Sequence, residues 1–269
     1  MDHDVGDYLA ALVGRARAVL GDNLVGAYAA GSVGLGAYQP GRSDVDVALV
    51  TAGPVTGPAK RELVARLRHE SLPCPARGLE LVAYRRDVAG SGIPDPGFEV
   101  ELNTGAAMPF RATYDPAERP AADGWFWYAL DRSILRQAGL ALLGPPPVEV
   151  FADPAPADLR GLLVTALDWW LALPTPAGDA PAPGAEDAVL GACRSLVRVR
   201  TGAWLSKVDA GRWLMARGRH AELIGRAVAA RQGGPAPSGP EARPSSGGSA
   251  TRSPVRIDDG RQSTVNKVY

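Results

Sequence analysis

The sequence predicts an α+β protein: an α/β unit over residues 1–120, then a helical unit over residues 121–232. Two observations predict it. Short apolar runs alternate with amphipathic helical stretches up to about residue 120, whereas helical spacing dominates beyond it. A third bears on the end of the chain. After Gln232 the composition turns to Gly, Pro, Ser and Arg with almost no large apolar residues, so residues 233–269 are expected to be a disordered tail.

Each element has its own signal. Tyr8, Leu9, Leu12, Val13, Ala16, Val19 and Leu20 recur at helical spacing, and Gly21-Asp22-Asn23 stops that helix. Residues 24–30 form a short apolar strand, and residues 45–50 a second, closed by Gly53-Pro54. A helix is expected over 58–72 on the stripe Leu63, Val64 and Leu67. Residues 79–84 read as a third strand and 98–102 as a fourth. Beyond residue 121, the stretches 125–143, 156–173 and 186–206 are helical, with shorter helices around Gly211 and Glu222. The Pro-, Ala- and Gly-rich stretch 174–185 is a loop. Two units of this kind place a substrate cleft between them.

Bulk properties narrow the function. At 269 residues the chain holds one large or two modest domains. Its 29 basic and 29 acidic side chains cancel, which argues against gripping a long nucleic acid and leaves small nucleotides and cations open. Cys74 and Cys193 have no metal-ligand spacing and read as free thiols of a reducing compartment. Acids at Asp2, Asp4 and Asp7 stand where a signal peptide needs positive charge, and no apolar run reaches membrane length. A cytoplasmic, monomeric protein without membrane contact is expected.

The richest stretch is 31–50, GSVGLGAYQPGRSDVDVALV. Asp44 and Asp46 lie two apart on an apolar strand and so point the same way. Paired carboxylates repel unless a cation sits between them, and Mg2+ takes one or two protein carboxylates together with phosphate and water oxygens. Gly31-Ser32 offers backbone N–H groups and a hydroxyl, the donors a phosphate needs. Together they point to nucleotidyl transfer, although a Gly-rich turn before a strand can also be only a turn. Glu80 stands in the third strand. It is an edge acid facing water or, if that strand pairs beside the second, a third metal ligand or a general base.

Gly31-Ser32, ten intervening residues, Ser43-Asp44-Val45-Asp46 and then Glu80 resemble the nucleotidyltransferase superfamily that includes DNA polymerase β. Leu140 to Pro145, Phe151 to Pro154 and Arg194 through Gly202 to Lys207 resemble its streptomycin/spectinomycin adenylyltransferase branch, over roughly residues 20–230. The resemblance implies a five-stranded mixed sheet followed by a helical bundle, with ATP and an aminoglycoside meeting between them. Asp44 and Asp46 look like ligands of Mg2+, expected as two ions. Glu80 looks like the catalytic base, and Gly31, Ser32 and Ser43 like triphosphate contacts. Lys207 and Arg194 are similar to basic residues at the nucleotide, with a surface position as the plain alternative for each. For the acceptor, Asp179 matches an acid of the family's substrate loop, with Glu186 and Asp187 close by. Trp170, rather than Trp169, matches a stacking tryptophan, with core packing as its alternative. Ala107 stands where the family has a tryptophan, Arg231 where it has a tyrosine, and the family's final long helix is missing. An adenylyltransferase acting on a protein side chain, or a nucleotide sensor without turnover, are the competing readings.

Overall fold

The computed structural model describes residues 2–172, 180–182, 184–218 and 220–242. The chain opens with α1 (His3–Leu20), capped by the Asp2 carboxylate, which accepts from the N–H groups of Asp4 and Val5. Next come β1 (Leu24–Ala29), the single turn α2 (Gly31–Gly34), β2 (Val45–Thr51), α3 (Gly57–Leu67) and β3 (Leu79–Arg85). They are followed by α4 (Arg86–Ala89), β4 (Phe98–Gly105), β5 (Met108–Thr113), α5 (Phe126–Ala138), β6 (Leu140–Leu143) and α6 (Pro147–Val150). The described chain ends with α7 (Pro156–Ala172), α8 (Ala185–Thr201), α9 (Lys207–Met215), α10 (Ala221–Arg231) and α11 (Gly239–Ala242).

The strands form one mixed sheet in the order β5-β4-β3-β2-β1-β6. Among the described residues only β2 and β3 pair in parallel, joined by the α3 crossover. Six strands thus replace the expected five. Alternate residues face opposite sides, and each side buries its own partners. Val45, Val47 and Leu49 of β2 lie with Leu79 and Leu81 of β3 in a core with Leu9 and Leu12 of α1 and Leu63 and Leu67 of α3. Ala48, Val50 and Tyr84 face the other way, toward Tyr128 and Leu135 of α5 and toward Phe151. Burying one such leucine is worth about 1.5–3 kcal/mol. A one-residue slip of β2 would forfeit several of these burials and turn its acids into the α1 side. In register, Asp44 and Asp46 share the face of Ala48 and Val50, and Glu80 shares that of Tyr84. The acids therefore crown the α5-facing side of the sheet.

The other helices pack beside this face. Residues Leu190, Val197, Leu214 and Ile224 form the core of α8, α9 and α10. Trp204 packs with Leu130 and Ile134 of α5 and Leu163 of α7. The Gln137 side chain fixes Trp204 as a neighbouring strand would, donating to its carbonyl at 2.8 Å and accepting from its N–H at 2.7 Å.

Several expectations are corrected. The stretch 125–143 is not one helix, because α5 ends at Ala138 and Leu140–Leu143 pairs with β1. Gly139 makes the break: its N–H closes the last turn on Leu135 at 2.7 Å, and a Cβ there would lie 2.6 Å from the Leu135 carbonyl oxygen. The 121–232 unit is consequently not all-helical, since it returns a strand to the sheet. β5 escaped notice because Pro109 argues against a strand, yet a sheet edge tolerates proline. The helix expected over 58–72 stops at Leu67, where Arg68 turns extended.

Part of the stretch expected as a tail is ordered. Pro237, Ser238 and Gly239 are buried, Pro181 bridges Ser238, and Glu241 accepts from the Ser238 N–H and pairs with Arg226 at 2.6 Å. Polar contacts, invisible to a count of apolar residues, order this segment. Residues 243–269 lie outside the described residues. Cys74 and Cys193 are both buried free thiols. Among the described residues no helix is long and apolar enough to cross a membrane.

Candidate active site

The crowned face of the sheet opens into a cleft of about 980 Å3, walled by β2, β3, α5, α7, α8, α9 and the end of α10. A smaller hollow of about 550 Å3 beside Asp2, Val5 and Tyr38 has no comparable cluster of charge.

At the cleft floor the β1–β2 connection begins with the α2 turn. The Ala30 N–H donates to the Asp46 carbonyl at 2.9 Å, which bolts the turn onto β2. Gly31 has φ +50°, and a Cβ there would fall 1.7 Å from Asp46 Oδ2. Only glycine lets this backbone pass under the carboxylate. Gly31→Ala is expected to push Asp46 aside, lowering stability by about 1–3 kcal/mol and nucleotide-dependent activity with it. A thermal melt with an activity assay checks this; an unchanged variant would mean that the close approach is incidental. The Ser32 hydroxyl lines the cleft, buried and without a hydrogen-bond partner. Such a group is costly unless something polar meets it. Ser43 also lines the cleft, and its hydroxyl accepts from the Gln39 N–H at 3.0 Å, bracing the loop from within.

Above the floor the carboxylates gather. β2 and β3 are paired with Asp46 directly opposite Glu80, on adjacent strands and one face. These side chains are open to the cleft yet enclosed by protein around it. Burial, then the charges of Asp44, Glu80 and Asp131, pushes the Asp46 carboxyl well above the usual range, with Arg194 opposing. Burial, then Asp44 and Asp131, raises Glu80 to about 7, with Arg111 opposing and Glu101 adding to the rise. Asp131 rises to about 6, mainly by burial, against the pull of Arg194 and Arg132. Mutually repelling carboxylates that open into the cleft beside an unpaired hydroxyl are the donor set a hard divalent cation and phosphate oxygens fit. Among the described residues no three His, Cys, Asp or Glu side chains converge as a metal-holding group. Two aspartates completed by phosphate and water suit Mg2+, with Glu80 opposite Asp46 on the neighbouring strand.

The helical wall carries the positive charge. Burial lowers the Arg194 pKa, while Asp131, Asp46 and Asp187 pull it back up. Its guanidinium lies 5.8 Å from the Trp204 ring centre. Lys207 and Arg231 both line the cleft. Asp187, expected to meet a cationic acceptor, is already paired: its Oδ1 takes Lys207 Nζ at 2.9 Å and Arg231 at 2.7 Å. Glu186 is likewise taken by Arg42 at 2.7 Å. Asp187 thus stands at the cleft already paired through one oxygen with two cations, rather than as an isolated acid. Asp179 lies outside the described residues.

Aromatic rings form the remaining wall. Trp170 lies 5.0 Å from Trp169 and 6.0 Å from Trp127, edge to face, and all three line the cleft. Trp169 Nε1 donates to the Ala122 carbonyl at 3.2 Å. Trp170 packs over Gly191 of α8, so it is at once core and cleft wall. Sequence reasoning missed Trp127 and Asp131. Asp131 lies on the same helical stripe as Tyr128, Ile134 and Leu135, so an acid interrupting that stripe was a usable signal. Glu101 is buried against Arg119, Arg111 and Thr113, which all bond its carboxylate.

The structure is similar to that of spectinomycin adenyltransferase AAD(9) from Enterococcus faecialis, solved with ATP and spectinomycin. The TM-score is 0.62 at 17% sequence identity, over 84% of this chain and 89% of that one. At that identity the likeness is one of fold. No protein-family model matches the sequence, and no curated protein does either.

Proposed function

We propose that the protein transfers AMP from ATP to a hydroxyl of a small cationic acceptor of the aminoglycoside or aminocyclitol class, releasing pyrophosphate. The observation that carries this reading is the β2–β3 register, which sets Glu80 beside Asp46 on one face of the sheet. Asp44 and Asp46 would hold Mg2+, and Ser32 with the Gly31-Ser32 backbone would receive phosphate oxygens. When bound, Mg2+ supplies charge stabilisation at the reacting phosphate and the leaving pyrophosphate. Lys207 adds positive charge from the opposite wall. Glu80, poised at about 7, takes the proton of the acceptor hydroxyl as its oxygen attacks the phosphorus. A cationic acceptor would meet Asp131, the Asp187 carboxylate shared with Lys207 and Arg231, and the tryptophan wall.

Purified protein with Mg2+ and ATP is expected to release pyrophosphate only when a suitable member of an aminoglycoside panel, spectinomycin included, is added. Binding of ATP with no release across the panel would overturn the acceptor class. Failure to bind ATP at all would overturn the activity.

A further inference from the structure

Cross-strand pairing carries the acid-bearing face of the sheet beyond its acids. Asp46 stands opposite Glu80, Glu80 opposite Asn103, and Asn103 opposite Arg111, in one row across β2, β3, β4 and β5. Paired residues point the same way, and neighbouring strands lie about 4.8 Å apart. Asn103 and Arg111 therefore stand one and two strands beyond the proposed base, and both line the cleft. The other side of β4 is apolar, with Val100 and Leu102 in the core beside α1 and α3.

The adjacent row holds Arg111 in place. There Val82 faces Glu101, and Glu101 faces Thr113. Arg111 gives one Nη to Glu101 at 3.0 Å, while Arg119 and the Thr113 hydroxyl bond the same carboxylate. Arg111 keeps donors to spare on a side chain that is still 43% exposed. Its charge reaches Glu80, where it opposes the rise that burial causes. Among the described residues no hydrogen bond engages the Asn103 side-chain amide, which offers both a donor and an acceptor.

We propose that Asn103 and Arg111 form a specificity subsite that receives uncharged ring oxygens of the acceptor beside its attacking hydroxyl. The same subsite turns the acceptor's ammonium groups away, toward Asp131 and the tryptophan wall. The proposal rests on the transfer reading given above. A sugar or cyclitol ring with one hydroxyl at Glu80 presents its next substituents along the row, to Asn103 and then Arg111. Asn103 donates to or accepts from a hydroxyl, whereas Arg111 only donates, which suits hydroxyl, ether or carbonyl oxygen. An ammonium group there would find no acceptor on Arg111 and would meet its like charge.

The test measures pyrophosphate release and calorimetric binding for aminoglycoside pairs that differ by hydroxyl or amine at one ring position. Kanamycin A and kanamycin B are one such pair, and spectinomycin is run beside them. Asn103→Ala is expected to raise KM for the preferred acceptor about fivefold or more. KM for ATP and the melting temperature should stay unchanged in that variant. Arg111→Gln is expected to move the kcat/KM ratio about fivefold or more toward the amine member of a pair, whereas Arg111→Lys keeps the wild-type preference. A merely structural role, or a change at Glu80 alone, would scale both members alike and leave that ratio where it was. An unmoved ratio in Arg111→Gln, or an unmoved acceptor KM in Asn103→Ala, would overturn the subsite while the transfer reading stands. If the wild type binds ATP and transfers to no acceptor, the transfer reading falls. The subsite then survives only if the binding ratio of a pair still moves in Arg111→Gln, and it falls otherwise.

Discussion

Asp46→Asn is expected to cut nucleotidyl transfer by about a thousandfold or more while raising the melting temperature of the ligand-free protein. Both effects come from one arrangement. Burial and the neighbouring charges of Asp44, Glu80 and Asp131 make the Asp46 carboxyl hold its proton more tightly folded than unfolded. Such a group contributes stability at low pH and loses it as the pH rises through the folded value. Glu80, moved from 4.5 to about 7, and Asp131, moved from 3.8 to about 6, act in the same direction. The ligand-free wild type should therefore lose stability between about pH 4 and pH 7, and the D46N variant should lose less. Melts across that range, with pyrophosphate release measured in parallel, check the pair of effects. A variant that melts below the wild type above neutral pH, or that still turns over, would remove Asp46 from the centre of the site.

Glu80→Gln is expected to lower kcat by about a hundredfold to ten-thousandfold with KM for ATP little changed. A base must be unprotonated to work. With its folded pKa at about 7, the active form of Glu80 accumulates as pH rises through neutrality. The wild-type kcat/KM for acceptor should climb over that range, and the climb should be absent in the variant. The Mg2+ dependence separates the two roles open to this residue. A base leaves the Mg2+ requirement where it was, whereas a metal ligand raises it when removed. An intact pH limb in the variant would take the proton-transfer role away from Glu80.

The parts legible in the sequence are those that local rules determine. Asp44 and Asp46 fall on one face by strand periodicity alone, and the Gly31-Ser32 turn announces itself by composition. Glu80 could be placed only conditionally, because the strand it pairs with is a tertiary choice; the parallel register of β2 and β3 meets that condition. The setting of Asp187 was hidden for the same reason. Its acid was visible, but the cations that occupy it arrive from α9 and α10, brought in by the packing of three helices. The brace that the Ser43 hydroxyl gives its own loop was not visible, because the Gln39 N–H it accepts from is placed by the turn. β6 failed because four apolar residues carry no period long enough to separate strand from helix.

That last strand also affects how the molecule is made. β6 closes the sheet by setting Leu140 against Ala29, residues about 110 positions apart, and β1 runs straight into the Gly31 turn. Closing so long a loop costs entropy before any contact repays it. On the ribosome, the first 120 residues emerge with β1 still an open edge, and β1 gains its outer neighbour only after α5 and β6 have followed. The floor of the cleft and the helix that carries Asp131 are therefore completed in one late step. A chain arrested earlier would display an unpaired strand, which is an invitation to aggregate.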